Sequence, residues 1–411
     1  MTIAGETAAA GPPERGRALE VLAVAFGLGL TSFGGPIAHL GYFERAYIER
    51  RRWLSATDYA GLVALCQMAP GPTSSQVGFL IGLRRAGWPG ALAAWLGFTA
   101  PSALLMLAFA TLAPRLGGPV AQAVLHGLKL VAVAVVAQAV WSMATRLCPD
   151  LSRTALALTA AVMLLLFGGS LIQLVALAIG AVGGMLLCRA APIQSLAPSA
   201  PVGRRVAAAF FAVFAGLLVG LPLAAQAAPR SLLGMIATFY KTGALVFGGG
   251  HVVLPLLRDV LVPAGWIGDG AFLAGYGAAQ ALPGPLFSFA AYLGAMIAPR
   301  GSGIGGEALW SAAALVFIFL PGLLVVAAGL PLWGWIAGHP IARGALAGVN
   351  AAVVGILGAA LYNPIWTSAI LGARDLATAL LALVLLERWR APPILIVVLC
   401  VTAAVAPATF R

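Results

Sequence analysis

Charged positions divide the chain into long apolar windows. Nine windows without a single charge each have about 20 residues or more, enough for a helix to cross the hydrocarbon core of a bilayer; they are 21–43, 59–83, 86–114, 154–188, 206–229, 270–299, 308–342, 344–373 and 391–410. Two further windows, 116–145 and 231–257, each contain one charge, Lys129 and Lys241. Membrane β-barrels instead show segments of about 10 alternating residues. The pattern therefore predicts an all-α polytopic membrane protein.

Composition agrees with this class. Charged residues make up only 9% of the chain, whereas 61% of its residues are hydrophobic, more than a soluble domain buries. These values exclude disordered, nucleic-acid-binding and secreted disulfide-rich proteins. The net charge of +12 comes mostly from Arg between the windows, and we expect lipid, not nucleic acid, around the protein. The four cysteines have no metal-binding spacing and indicate small buried side chains.

The second part of the chain repeats the first. The stretch FGLGLTSFGGP from Phe26 aligns with YKTGALVFGGG from Tyr240, and a Pro-Gly-Pro motif at 70–72 recurs at 283–285. Other matched positions follow in the same order: Trp53 with Trp266, Pro101 with Pro321, Gly127 with Gly348, Lys129 with Asn350, and Arg153 with Arg374. The order predicts two homologous transmembrane repeats, 17–189 and 231–411.

The remaining segments complete the domain organisation. Residues 1–16 form a polar N-terminal tail without the pattern of a removable signal peptide. Residues 190–205 form a Pro- and Ser-rich linker, and 206–230 an extra central transmembrane helix. If each repeat crosses an even number of times, this one added helix inverts the second repeat.

Loop charges favour such an inverted repeat. The loop 44–58 carries four Arg, whereas its counterpart 257–271 carries only Arg258. Because basic loops face the cytoplasm, the matched loops are expected on opposite sides. This topology requires that the two helices around each break enter and leave the membrane on the same side. The broken half-helices then meet near the midplane of the membrane.

Four backbone breaks interrupt the apolar windows, in two matched pairs. Lipid offers no partner to freed N–H groups, so breaks persist where the backbone lines a polar cavity. Pro36, Pro72 and Pro285 are expected to open half-helices, whose N-termini bind anions. Ile37 and Ala38, Thr73 to Gln76, and Leu286 to Ser288 would supply free N–H groups. The predicted binding residues are Gly34, Gly35, Pro36, Pro70, Gly71, Pro72, Gly248, Gly249, Gly250, Pro283, Gly284 and Pro285, with the side-chain donors Gln67, Thr73, Ser74, Ser75, Gln76, Gln280 and Ser288. The alternative is that each Pro-Gly-Pro motif only turns two packed helices.

Isolated polar residues add candidates to this site. Lys129 and Lys241 have no acidic residue in their windows, and an ionisable residue deep in a membrane indicates function. The alternative for Lys241 is that its long side chain snorkels to the interface. His39 and His251 follow the glycine breaks and are candidates for proton transfer or anion binding, with structural burial as the alternative. Asn350 is a further polar candidate.

The chain lacks the motifs of other functional classes. It has no paired membrane carboxylates, no phosphate-binding loop, no dinucleotide fingerprint and no metal-ligand cluster. We therefore expect no enzyme activity, no cofactor and no bound metal.

The doubled pattern resembles the chromate ion transporter family in its long form with two homologous halves. The resemblance covers about 17–410 and is carried by short motifs in a fixed order: Phe33 to Pro36, Trp53-Leu54, Pro70 to Thr73, Gly82 and Pro101, then Phe247 to Gly250, Trp266, Pro283 to Pro285, and Pro321. It implies a carrier of the bacterial inner membrane that exports chromate, with sulfate as a related anion, and halves of opposite orientation. One departure is Gly27, where the family often has Lys; its repeat-mate Lys241 keeps the Lys.

Physical reasoning fits this resemblance. A tetrahedral dianion needs several donors, and its expulsion from a negatively charged cell interior is favourable by about 2.3 kcal/mol per charge per 100 mV. We therefore expect a secondary transporter that exports chromate. Exchange for another anion and assembly as a homodimer are compatible with this expectation. An anion channel or a carrier of sulfate or another oxyanion remains the alternative.

Overall fold

A computed structural model describes residues 17–33, 35–112, 118–188, 202–247, 250–332 and 338–409. Across these residues the secondary structure is helical, without strands. The helices are α1 (Ala18–Thr31), α2 (Gly35–Phe43), α3 (Ala56–Met68), α4 (Thr73–Leu112), α5 (Gly118–Leu147), α6 (Leu151–Phe167), α7 (Gly169–Leu187), α8 (Arg204–Ala225), α9 (Leu232–Leu245), α10 (Val253–Leu261), α11 (Asp269–Gln280), α12 (Phe289–Ile297), α13 (Gly303–Gly329), α14 (Pro340–Ala360), α15 (Ala373–Glu387) and α16 (Pro393–Thr409). The predicted all-α fold is confirmed. The tail 1–16 and most of the linker lie outside the described residues.

The helices of the two halves correspond one to one when the two parts of α4 are counted separately. α1 matches α9, α2 matches α10, and α3 matches α11; the two parts of α4 match α12 and α13, α5 matches α14, α6 matches α15, and α7 matches α16. α4 has two parts because the backbone angles of Ala86 and Gly87 leave the helical region. α8 has no counterpart, and it lies where the extra central helix is expected.

The helices break where the Pro-Gly-Pro motifs stand. Gly71 and Gly284 have φ angles of 114° and 99°, which a glycine adopts at little energetic cost. The positions of the prolines relative to the helix starts differ slightly from the prediction, since α2 begins at Gly35, one residue before Pro36. Pro72 and Pro285 directly precede the first helical residue. Their carbonyl groups accept the first backbone bonds of the next segment, from Gln76 and Ser288.

One further break divides a charge-free window into two helices. The window 154–188 is not a single span, because α6 ends at Phe167 and α7 begins at Gly169. Gly168 and Gly169 both have positive φ angles, which reverse the chain between the two helices. Among the described residues, five helices are long and apolar enough to cross a membrane, and six shorter apolar helices accompany them. Breaks thus divide several windows into two short helices.

Small residues hold the two halves together in a reciprocal arrangement. Gly127 on α5 packs against Val401 on α16, where an added Cβ would lie 2.6 Å from the Val401 Cα. The repeat-mates of this pair, Gly348 on α14 and Gly180 on α7, also pack backbone to backbone. Each half therefore places its last helix against the other half, and this exchange is what a pseudo-two-fold axis between the halves produces.

α8 lies at the periphery of the bundle. It packs against α9 and α13, while only 6% of its apolar window is buried, compared with 61% for that of α13. Phe211, Val219 and Leu223 are exposed large apolar side chains on this helix. A helix of this composition that is exposed on most sides fits a lipid environment.

Candidate functional site

Each Pro-Gly-Pro turn is bound to the glycine break of the other half. The Gly71 N–H donates to the carbonyl oxygen of Val246 at the end of α9, over 2.7 Å. The Gly284 N–H donates in the same way to the carbonyl oxygen of Ser32 at the end of α1, over 2.9 Å. Because Gly71 matches Gly284 and Ser32 matches Val246, the two crossings are equivalent. The structure thus joins all four predicted breaks in two crossed pairs.

Close packing leaves no room for side chains at these crossings. A Cβ on Gly71 would lie 3.0 Å from the Gly322 Cα, and a Cβ on Gly284 would lie 2.8 Å from the Ser102 Oγ. Gly322 and Ser102 directly follow the matched prolines Pro321 and Pro101. The long helices α4 and α13 therefore each support the turn of the opposite half.

The first half-helix opens with a buried polar turn. Thr73, Ser74, Ser75 and Gln76 are all buried at the start of α4. The Gln76 Nε2 donates to the carbonyl oxygens of Pro70 (2.5 Å) and Gly322 (3.1 Å). The Ser75 Oγ and the Gln76 Oε1 have no hydrogen-bond partner in the described structure. Buried polar atoms are rarely left unpaired, so these two atoms indicate a polar species at this turn.

His39 is attached to this polar turn. Its Nδ1 lies 3.2 Å from the Ser74 Oγ, and its ring packs edge-on against Phe98. The imidazole is almost fully buried. His39 therefore links α2, which follows the first glycine break, to the first turn of α4.

A small cavity lies beside the second Pro-Gly-Pro turn. It has a volume of about 60 Å³, and its lining includes Gly35, His251, Gln280 and Gly284. The Gln280 side chain lies within reach of the Tyr276 hydroxyl, but its Nε2 makes no hydrogen bond of good geometry in the described structure. No acidic residue lines this cavity in the part of the chain that the structure describes. It thus brings together candidates from both halves around an unpaired amide donor.

Sequence reasoning missed Tyr276, which bonds to the cavity residue His251. The His251 Nδ1 lies 2.7 Å from the Tyr276 hydroxyl, and Tyr276 is fully buried on α11. From the sequence alone, a tyrosine in an apolar helix is interpreted as a core residue. The only signal is its position one helical turn before Gln280, on the same face of the helix.

The backbone donors at the two turns differ from the prediction at one position each. The N–H groups of Gln76 and Ser288 are already bonded to the carbonyl groups of Pro72 and Pro285. Thr73, Ser74 and Ser75 keep free first-turn N–H groups in the first half, as do Leu286 and Phe287 in the second. Ser288 is buried in the second half-helix, and Gly250 is buried at the start of a 3₁₀ turn that precedes α10.

Several predicted site residues lie elsewhere. Gln67 is exposed, unlike its repeat-mate Gln280. The Lys129 ammonium lies beside Gly270, at the loop end of α11. Asn350 lies on α14, two residues after Gly348, which packs against α7. Lys241 lines a separate cavity. Gly34, Gly248 and Gly249 lie outside the described residues.

The arrangement can bind an anion. Its donors are the free N–H groups of two half-helices, serine and threonine hydroxyls, amides and two histidines. A helix N-terminus carries about half a positive charge, and the carbonyl groups of the crossed turns are already occupied by backbone N–H groups. This donor set suits a compact oxyanion with several acceptor oxygens.

Comparisons with known proteins show which proteins this chain is similar to. The family model described as "Chromate transporter" matches residues 19–185 and 233–405, one match in each half. The chain is 29% identical over 333 residues to the chromate transport protein of Pseudomonas aeruginosa, covering 80% of this chain and 77% of that protein. It is 28% identical over 390 residues to the probable chromate transport protein of Synechococcus elongatus, covering 92% of each. It is also 27% identical to the chromate transport protein of Cupriavidus metallidurans, covering 87% of this chain and 84% of that protein. No solved structure matches the chain.

Proposed function

The chain belongs to the chromate transporter family, and from this premise we propose that it is a secondary transporter that exports chromate across a bacterial-type inner membrane. Its similarity to proteins named for chromate transport over most of its length supports the substrate. The two crossed Pro-Gly-Pro turns carry the proposal, because each turn precedes a half-helix of one repeat and is bonded to the glycine break of the other repeat. Sulfate has the same charge and tetrahedral shape and is the expected competitor.

The membrane potential supplies a driving force for export. Moving one negative charge out of a cell releases about 2.3 kcal/mol per 100 mV, and a dianion releases roughly twice that amount. Such a carrier needs no acidic proton relay, in keeping with the absence of carboxylates among the described residues that line the Gln280 cavity. Exchange for an external anion would operate at the same site.

Inverted repeats provide a route for alternating access. In such transporters one repeat rocks against the other around a site at their interface. Reciprocal contacts between the halves, such as Gly71 with Val246 and Gly284 with Ser32, support a two-fold relation of this kind. The uneven distribution of Arg between matched loops supports its inversion across the membrane.

Flux into inside-out vesicles tests this function. Vesicles from cells that express the protein should accumulate chromate when the lumen is made electrically positive, and accumulation should saturate and fall when sulfate is added. Vesicles from cells with an empty vector provide the control. Equal accumulation in both preparations would contradict chromate transport. Single-channel currents in planar bilayers, without saturation, would instead support an anion channel.

A further inference from the structure

A second and larger cavity lies between α7, α8, α9 and α10. Its volume is about 370 Å³, and no residue of either Pro-Gly-Pro turn lines it. Its polar lining consists of Gln173 on α7, Gln226 after α8, and Thr238, Lys241 and Thr242 on α9. Leu, Val, Ala and Pro side chains form most of the remaining wall.

The lining residues of this cavity follow α9 from the turn before the helix to its last residue. Gln226 and Pro229 line it in the turn between α8 and α9. Arg230 in the same turn donates to the Ala264 carbonyl in the loop between α10 and α11, over 2.6 Å, so these two loops share one face. At the other end, Leu245 lines the cavity, directly before Val246, whose carbonyl accepts the Gly71 N–H.

Lys241 determines the charge of this cavity. It is the one charged residue among the lining residues in the described part of the chain, and its side chain is exposed. The neighbouring Asp259 carboxylate accepts a hydrogen bond from the Gln173 Nε2 and lies 3.8 Å from Arg258. Arg258 in turn bonds Asp269 over 2.7 Å. Asp259 is therefore engaged with other groups, and the cation Arg230 directly follows the lining residue Pro229 in the chain.

Gln173 adds an unsatisfied group to the cavity wall. Its side chain is only 1% exposed, and its Oε1 has no hydrogen-bond partner in the described structure. An unpaired amide oxygen at this depth requires a donor, such as a bound water or the hydroxyl of a protonated oxyanion. The cavity thus offers a cation and an acceptor to the same ligand.

The repeat does not duplicate the walls of this cavity. The repeat-mate of Lys241 is Gly27, which has no side chain to contribute charge. The α8 wall has no repeat-mate at all. The feature therefore breaks the pseudo-two-fold symmetry that relates the two Pro-Gly-Pro turns.

We propose that this cavity is a one-sided vestibule in which a soluble tetrahedral oxyanion binds at Lys241 on its way between the loop surface and the first Pro-Gly-Pro turn. The assignment rests on the proposed function, because it names a second site on the path of the same anion. A lipid phosphate has the same chemistry. The soluble anion is favoured because Gln226 and Pro229, in the turn between α8 and α9, line the same cavity as Lys241.

Charge-selective cysteine labelling tests the vestibule without requiring transport. The parent protein for this test lacks the four native cysteines and carries Thr238→Cys. Position 238 is suitable because the Thr238 hydroxyl donates only to the Gly234 carbonyl of its own helix. In detergent, an anionic methanethiosulfonate should react several-fold faster than a cationic one, and sulfate should slow the reaction several-fold. Sulfate is the probe because chromate oxidises thiols. Adding Lys241→Met should remove both effects, whereas Arg204→Met, a distant exposed cation at the start of α8, should leave them unchanged.

Other outcomes of the labelling experiment contradict the vestibule. Sulfate protection that is absent in the parent, or equal with Lys241→Met, contradicts binding at Lys241. Protection by phosphatidylglycerol vesicles but not by sulfate assigns the site to a lipid headgroup. Vesicle chromate flux separates the two proposals: flux without protection refutes the vestibule alone, and protection without flux refutes chromate transport alone.

Discussion

The Gly71 N–H donates to the Val246 carbonyl oxygen over 2.7 Å, and the two residues belong to different repeats. The matched bond from Gly284 to Ser32 crosses in the opposite direction. Each glycine break is therefore held by the Pro-Gly-Pro turn of the other half. A displacement of one half must disturb both crossings, which couples the two half-helix N-termini mechanically.

Alanine at either crossing glycine should reduce stability and transport. Gly71 and Gly284 have positive φ angles, which cost alanine about 1–3 kcal/mol each. The added methyl group also meets Gly322 at Gly71 and Ser102 at Gly284. We expect Gly71→Ala and Gly284→Ala to lower the apparent Tm in detergent and to reduce chromate flux into vesicles.

Gly220→Ala provides the control for these two variants. Gly220 lies within the peripheral helix α8, and a Cβ there would meet nothing within 4 Å. Alanine favours a helix interior over glycine by about 1 kcal/mol, so this variant should be as stable as the parent. Equal Tm values for all three variants would show that the crossings do not constrain the fold.

The two matched glutamines should differ in their importance. The Gln280 Nε2 is unpaired beside the cavity at the second turn, whereas Gln67 is exposed. If an anion accepts the Gln280 amide, Gln280→Leu removes a charge-assisted hydrogen bond of about 1.5–3 kcal/mol. We expect a KM for chromate raised roughly tenfold or more in Gln280→Leu. Gln67→Leu should keep the parent KM; a similar KM change in both would remove Gln280 from the site.

The sequence predicts the breaks of this fold better than its side-chain contacts. The Pro-Gly-Pro motifs and the internal repeat identify the broken helices, because glycine and proline impose local backbone geometry. The break at Gly168 has a weaker signal, since no proline or charge accompanies it in the window 154–188. Which break meets which turn depends on packing between the halves. The contacts of Tyr276 and the separate cavity of Lys241 could not be read from spacing for the same reason.

The two lysines should contribute unequally to transport. The Lys129 ammonium lies beside Gly270 at the loop end of α11, whereas Lys241 lines the cavity between α7, α8, α9 and α10. We expect Lys241→Met to reduce chromate flux more strongly than Lys129→Met, since only Lys241 offers a cation to an anion in this cavity. Arg204→Met is the control for an exposed cation. Equal losses for both lysine variants would contradict this difference.

Labelling of matched loops tests the inverted orientation. Ser55 caps the start of α3, and Gly268 directly precedes the matched helix α11; both are exposed. In a background without native cysteines, Ser55→Cys and Gly268→Cys should react with an impermeant maleimide from opposite sides of the membrane. The Arg-rich loop at Ser55 predicts reaction from the cytoplasmic side. Reaction of both from the same side would exclude inversion.

The exchanged terminal helices make the two halves dependent on one another. α7 packs on α14 through Gly180 and Gly348, and α16 packs on α5 at Gly127. A half on its own would leave these close-packed surfaces without their partner. We expect residues 1–200 and 201–411, expressed together as two polypeptides, to copurify through a tag on either one and to elute as a single symmetric peak. Each half expressed alone should aggregate or be degraded. A monodisperse, thermally stable half produced alone would show that the exchange contributes little, because its packing energy would then be dispensable.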